Sequence, residues 1–159
     1  MPQTKLGLCI SLVFSAMNID FTHIGKHEEK LAISAKNGAK TMLLNEISDE
    51  NRKSFDVVIE ATGSVGGFET SASLVKPRGT LVLKSTIVAR EGLNLASIVV
   101  DEITIQGSRC GQFKPILRLL ENKKIDVTPL VSAVYELNDF ENAFKKNSEK
   151  GTLKVLVKF

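Results

Sequence analysis

Phe55-Asp56-Val57-Val58-Ile59-Glu60-Ala61-Thr62-Gly63 leads through a small-residue segment into Lys76-Pro77-Arg78-Gly79-Thr80-Leu81-Val82-Leu83. The two apolar runs are short, rich in β-branched residues and free of polar alternation, as strands covered on both faces of a parallel sheet are. Between them lies enough chain for one helical crossover. The stretch therefore reads strand, turn, helix, turn, strand, and predicts an α/β fold: a mostly parallel sheet with helices on both faces.

Working outward, Thr62-Gly63 falls just past a strand's carboxyl end, where open α/β sheets hold their ligands, and a glycine there lets a flat ring approach the backbone. An ordinary turn glycine satisfies the same spacing. Residues 19–25 read as a strand, 28–36 as a helix closed by Asn37-Gly38, and 41–44 as the next strand. Residues 48–54 read as a polar surface helix or loop, 66–74 as the crossover helix and 79–83 as the strand after it. Residues 87–100 are expected to be irregular and to end in an edge strand over 97–100, with a further strand at 103–107. Phe113, Ile116, Leu117 and Leu120 mark one face of a helix that fades at Asn122-Lys123-Lys124. Asn138-Asp139 suit the start of a last helix carrying Phe140, Ala143 and Phe144, and residues 153–159 close the chain as a strand.

At 159 residues, 43% hydrophobic and 25% charged, the chain suits one domain over 1–159 with a proper core and no second full domain. A net charge of +3 with scattered lysines argues against nucleic acid as a partner. Cys9 and Cys110 lie far apart without a disulfide framework, which suits a reducing compartment and places the protein in the cytoplasm. Cys9, Cys110, His23 and His27 show none of the clustered spacings a metal site uses, so no metal ligands are assigned. The apolar start, residues 6–16, superficially looks like a secretory signal, but only Lys5 precedes it and Phe14 stands where a small residue belongs. Leu6, Ile10, Val13 and Met17 instead repeat at helical spacing, as in a buried helix, and the run is too short to span a membrane.

Asp56-Val57-Val58-Ile59-Glu60-Ala61-Thr62-Gly63, Leu74-Val75-Lys76-Pro77-Arg78-Gly79-Thr80-Leu81-Val82 and the ending Gly151-Thr152-Leu153-Lys154-Val155-Leu156-Val157-Lys158-Phe159 resemble the zinc-type medium-chain alcohol dehydrogenases. The likeness runs over about residues 5–159 and continues through His27-Glu28-Glu29-Lys30-Leu31, Asn37-Gly38-Ala39-Lys40 and Tyr135-Glu136-Leu137-Asn138-Asp139-Phe140-Glu141-Asn142-Ala143-Phe144. It implies the Rossmann-like, nicotinamide-binding part of an NAD(P)-dependent alcohol or polyol dehydrogenase. In that family the zinc ligands and proton-relay groups come from an amino-terminal barrel-type domain that these 159 residues do not include, and the segment 126–159 packs back on it. Dinucleotide-binding sheets open with a strand running into G-x-G-x-x-G. The corresponding Pro2-Gln3-Thr4-Lys5-Leu6-Gly7 keeps only the last glycine, with no room ahead of Pro2 for the strand. In the strand order 3-2-1-4-5-6 that missing strand is central. Residues 154–159 are expected to fill its place, or failing them a strand from a second subunit.

The resemblance also assigns residues. Gly7 would help seat the pyrophosphate at a helix start, where free N–H groups favour anions, or would be a helix-packing glycine. The second strand ends Ile24-Gly25-Lys26-His27 where NAD enzymes carry an acid for the ribose; a cation there suits the 2′-phosphate of NADP, the resemblance puts Lys30 near the adenosine, and a solvated basic loop is the other reading for Lys26 and His27. Thr62, Gly63, Ser85, Gly107 and Ser108 would line the nicotinamide and its ribose, and Lys154 would reach the pyrophosphate. Each of these could equally be turn chemistry or, for Lys154, an exposed strand lysine. Glu60 and Arg109 have no acid–base role in the family, and no catalytic residue is assigned. The function expected is the cofactor-binding portion of the enzyme, not catalytic as this isolated chain. The alternative is a dimerising module with a degenerate site, joined as a homodimer through the apolar edge running from Ile98-Val99-Val100 to Ile105. A methyltransferase or other Rossmann-like enzyme is disfavoured by the carboxyl-terminal half.

Overall fold

A computed structural model describes residues 4–86 and 93–159. Helix α1 (Thr4–Ala16) leads to β1 (Thr22–Gly25), α2 (Glu28–Lys36) and β2 (Lys40–Leu43). Then come β3 (Phe55–Glu60), α3 (Val65–Leu74), β4 (Val75–Leu83), α4 (Ala96–Val100) and β5 (Thr104–Gly107). The chain ends with α5 (Phe113–Glu121), β6 (Val131–Glu136), α6 (Phe140–Ser148) and β7 (Lys154–Lys158). The predicted strand–helix–strand unit forms, and so does the helix over Glu28–Lys36. In β4 a shift in register separates the Phe55–Val75 pairing from that of Val57 with Thr80, and Gly79 sits where a Cβ would strike the carbonyl of Asp56.

All pairings are parallel, but they fall into three sheets. β1 pairs with β2, with Thr22 opposite Lys40 and Gly25 opposite Leu43. β3, β4 and β5 form a second sheet, in which Ile59 lies opposite Val82 and Val82 opposite Gln106. β6 and β7 form the third. Set against a doubly wound sheet, β2-β1 and β3-β4-β5 match the strands on either side of its innermost one, and among the described residues no strand joins the two sheets. Among the described residues β1 pairs only with β2, and β3 only with β4.

The expectation that residues 154–159 fill this gap is incorrect. They form β7, paired with β6, a strand the sequence reading missed although Val131-Ser132-Ala133-Val134-Tyr135-Glu136 alternates in exposure. The reason is proximity. β6, α6 and β7 make a local crossover unit, fastened by the Leu153 N–H donating to Ser132 Oγ at 2.9 Å, and short loops cost less entropy to close. The predicted edge strand over 97–100 is also wrong, because Ala96–Val100 is helix α4. Asn94 Oδ1 accepts from the Ala96 N–H, and the Leu95 carbonyl accepts from Ile98 and Val99, so local capping overrides the β-branched composition. The expected irregular stretch over 87–92 lies outside the described residues.

Two cores hold the fold. Leu8 and Leu12 of α1 pack with Ile125, Leu130 and Leu153. Phe68 and Ala72 of α3 pack with Val75, Leu81 and Ile103. In α1 the buried residues are Leu8, Ser11 and Leu12, while Met17 is exposed, so the stripe Leu6, Ile10, Val13, Met17 is not the buried one. A helix apolar on several sides offers more than one such stripe, and only its neighbours choose. The apolar face of α5 is real but uncovered, with Phe113 82% and Leu117 48% exposed. Asp139 stands at the start of α6 without capping it, its Oδ1 accepting instead from Asn142 Nδ2. Among the described residues no helix is long and apolar enough to cross a membrane.

Candidate functional site

The carboxyl ends of β3, β4 and β5 are tied into one rim by two side chains. Glu60, the last residue of β3, is 0% exposed. Its Oε1 accepts from the Thr62 N–H (2.6 Å), the Thr62 hydroxyl (2.6 Å) and the Gly63 N–H (3.0 Å), and its Oε2 accepts from the Ser85 hydroxyl. Four donors thus converge on one buried carboxyl group, the arrangement that lets a polar group stay inside without penalty. The Glu60 carbonyl accepts from the Lys84 N–H at 2.9 Å, and Lys84 Nζ reaches the Arg109 carbonyl (2.7 Å) and Ser108 Oγ (3.3 Å). The Ser108 N–H donates to the Leu83 carbonyl at 3.0 Å. Thr62, Gly63, Ser85, Gly107 and Ser108 are therefore brought to one edge of the sheet.

The local sequence explains the turn. Gly63 has φ +69°, a left-handed conformation that favours glycine. Ser64 Oγ accepts from the Gly67 N–H at 3.1 Å and starts α3. A Cβ on Gly67 would lie 1.8 Å from Thr62 Oγ1, so this glycine lets the helix start press against the turn. Above Gly107 a Cβ would meet nothing within 4 Å, leaving open space at the rim. The Glu60 oxygens accept from three donors within the turn and from Ser85, and Arg109 is exposed.

At the ends of β1 and β2, Lys26, Glu28, Leu43, Leu44 and Asn45 line an open concavity. Lys26 and His27 are exposed, while Lys30 is buried in α2. Gly25 lies against Leu31, whose Cδ2 would be 3.0 Å from an added Cβ. Gly7 is the fourth residue of α1 and faces β1: a Cβ there would come 3.1 Å from His23 Nε2. His23 Nδ1 is 2.7 Å from Ser34 Oγ, and burial holds the imidazole pKa below its ordinary value. Lys154 opens β7 opposite Val131, in the separate two-stranded sheet rather than at the rim. Residues 1–3, which include Pro2 and Gln3 of the degenerate glycine-loop stretch, lie outside the described residues.

Sequence reasoning named the rim residues singly and missed what joins them. Neither Glu60 nor Lys84 is marked in the sequence as a link between strand ends. The available signal was a carboxylate closing an apolar strand directly before Thr-Gly, a position where it can accept from the following N–H groups. The donor set does not suit zinc: among the described residues no three His, Cys, Asp or Glu side chains cluster, and Cys9 and Cys110 are free and exposed. The open space over Gly107, the left-handed Gly63 and the concavity by Lys26 suit the two ends of a nicotinamide dinucleotide.

The profile of the family described as zinc-binding dehydrogenase matches residues 6–122. D-arabinitol dehydrogenase 1 of Uromyces fabae is 32% identical over 117 residues, which are 71% of this chain and 34% of that protein. Among solved structures, L-idonate 5-dehydrogenase from Escherichia coli superposes with a TM-score of 0.88 at 21% identity, over 98% of this chain and 47% of that one. A zinc-binding dehydrogenase from Sinorhizobium meliloti 1021, bound to NADP, gives a TM-score of 0.77 at 18% identity over 96% and 57%. An alcohol dehydrogenase from Escherichia coli CFT073, complexed with NADH, gives 0.82 at 17% over 99% and 50%. The chain thus spans about a third of the curated relative's length and about half of each solved structure.

Proposed function

Because this chain belongs to the zinc-binding dehydrogenase family and corresponds to its cofactor-binding domain, we propose that the rim of β3, β4 and β5 receives the nicotinamide end of NAD(P). The observation that carries this reading is the Glu60 and Lys84 network, which gathers Thr62, Gly63, Ser85 and Ser108 around an open Gly107. Thr62, Gly63, Ser85, Gly107 and Ser108 would present backbone groups and hydroxyls to the nicotinamide and its ribose. The concavity beside Gly25 and Lys26 would take the adenosine end; a cation there suits a 2′-phosphate, which favours NADP. Gly7, Lys30 and Lys154 are weaker members of the set: Gly7 has a packing role against His23, Lys30 is buried, and Lys154 would act only once β7 is brought to the pyrophosphate.

When bound, such a cofactor supplies hydride exchange with an alcohol carbon of a polyol. This chain's residues would hold and orient it, with Glu60 fixing the turn that faces the ring. The catalytic half and its zinc would come from residues outside these 159, against which 126–159 would pack, so the chain alone would not oxidise alcohols. Free, exposed Cys9 and Cys110 agree with a reducing, cytoplasmic setting. Titration of the chain with NADPH and NADH, followed by nicotinamide fluorescence, tests the binding. NADPH is expected to bind more tightly, Lys26→Glu should reverse the order, and no binding by about 1 mM, a free energy near −4.1 kcal/mol, would sink the proposal.

A dimer is favoured by a separate observation. Val99 and Val100 are 76% and 77% exposed on α4, and Ile105 is 40% exposed on β5, whose outer edge is unpaired among the described residues. That edge would pair two copies strand to strand, with α4 flanking it as a helix and not as a continuation of the strand.

A further inference from the structure

The two side chains that close the rim differ in how their charge is answered. Glu60 is fully buried and gives both oxygens to four donors, so N–H and O–H groups enclose its negative charge. Lys84, the first residue past β4, is half-buried and reaches across to the carboxyl end of β5. Its ammonium donates to the Arg109 carbonyl at 2.7 Å and to Ser108 Oγ at 3.3 Å, both of them neutral oxygens. Among the described residues no carboxylate pairs with it, whereas Lys40, Lys53, Lys76 and Lys146 are paired with Asp20, Asp101, Asp56 and Glu149. Arg109, the next charged side chain at that end of β5, is exposed and also positive. An ammonium is a compact point charge, and one held half-buried on neutral acceptors keeps its field for whatever enters the rim.

We propose that Lys84 makes this site select the oxidation state of its cofactor. The ammonium beside Ser108 favours the reduced nicotinamide, a neutral ring, over the oxidised one, which carries a positive charge. The inference rests on the reading of the β3, β4 and β5 rim as the nicotinamide site, since only that end of the dinucleotide changes charge on oxidation. Adenosine and pyrophosphate are the same in both forms, so a difference in affinity reports the surroundings of the ring alone. At the effective dielectric of a protein surface, a like charge within about 10 Å of the ring suffices for about a tenfold difference. Glu60 pulls the other way, but the donor dipoles aimed at its oxygens offset its field. By linkage, tenfold tighter binding of the reduced form raises the potential of the bound two-electron couple by about 30 mV.

Calorimetric titration of the whole chain with NADPH and with NADP⁺ tests this, and the reduced form should bind about tenfold more tightly. Lys84→Met should bring the two dissociation constants within about twofold of each other, chiefly by tightening NADP⁺, while Lys84→Arg should keep the preference. ADP-ribose 2′-phosphate, which lacks the ring, should bind the parent and Lys84→Met equally. If Lys84 only ties β4 to β5, Lys84→Met weakens both forms alike with their ratio unchanged, and the proposal is overturned. Should Lys84→Met lose ADP-ribose 2′-phosphate as well, the parent decides by itself: its preference should shrink as salt screens the ammonium, and a preference indifferent to salt overturns the role of Lys84. Equal binding of the two forms by the parent ends the selectivity and leaves the cofactor site standing, whereas no binding of either by about 1 mM removes both.

Discussion

Glu60 shows how much one side chain can organise at the end of a strand. Replacing it by leucine keeps the volume but leaves two backbone N–H groups and two hydroxyls without their acceptor, and Glu60→Leu should lower stability by about 2–4 kcal/mol in urea denaturation. Glu60→Gln keeps one oxygen for the Thr62 and Gly63 donors and can donate to Ser85, so its cost should stay near 1 kcal/mol. The sequence placed Glu60 at a strand end, but its four donors come from positions 62, 63 and 85, and the last is named only by the fold. His23 makes a pH prediction. The folded state holds its ring neutral through burial, so the unfolded chain binds the proton first, near the ordinary value of 6.5. Stability should be level above about pH 6.5 and fall as pH drops from there through the lower folded value. Denaturation midpoints against pH should show this slope, and His23→Gln should flatten it.

Among the elements, agreement with the sequence follows from how local the determining interactions are. The helix over Glu28–Lys36 was legible because its acidic first turn and the Asn37-Gly38 ending lie within the element. Helix α4 was misread because three β-branched or apolar residues outweighed a single Asn94 side chain that reaches the Ala96 N–H. β6 carries no strand signal that stands out in sequence, and its pairing with β7 defines it. α5 carries the clearest apolar stripe in the chain yet buries none of its residues. These differences can be measured. Leu81→Ala, in the centre of the second sheet with 0% exposure, should cost about 2–5 kcal/mol. Leu117→Lys, on the uncovered face of α5, should stay within about 0.5 kcal/mol in the same denaturation series.

For the whole molecule, the buried side chains fall into two separate clusters. One core joins α1 to Ile125, Leu130 and Leu153; the other joins α3 to β4 and Ile103. A chain built this way should not unfold as one unit. Tyr135, the sole tyrosine in a chain without tryptophan, sits on β6, beside the core that joins α1 to Leu130 and Leu153. Its fluorescence should change at a different urea concentration from the far-UV circular dichroism, and coincident transitions would mean that helix packing couples the parts. From the sequence alone came the parallel α/β class, the family resemblance and the positions at the strand ends, because β-branched runs, turn glycines and helix endings act within a few residues. The structure decided where β7 pairs, which face of α1 is buried, that the stripe of Phe113, Ile116, Leu117 and Leu120 stays exposed, and that Glu60 and Lys84 bind three strand ends into one rim. Those outcomes depend on contacts between residues distant along the chain, and no local pattern ranks one such partner above another.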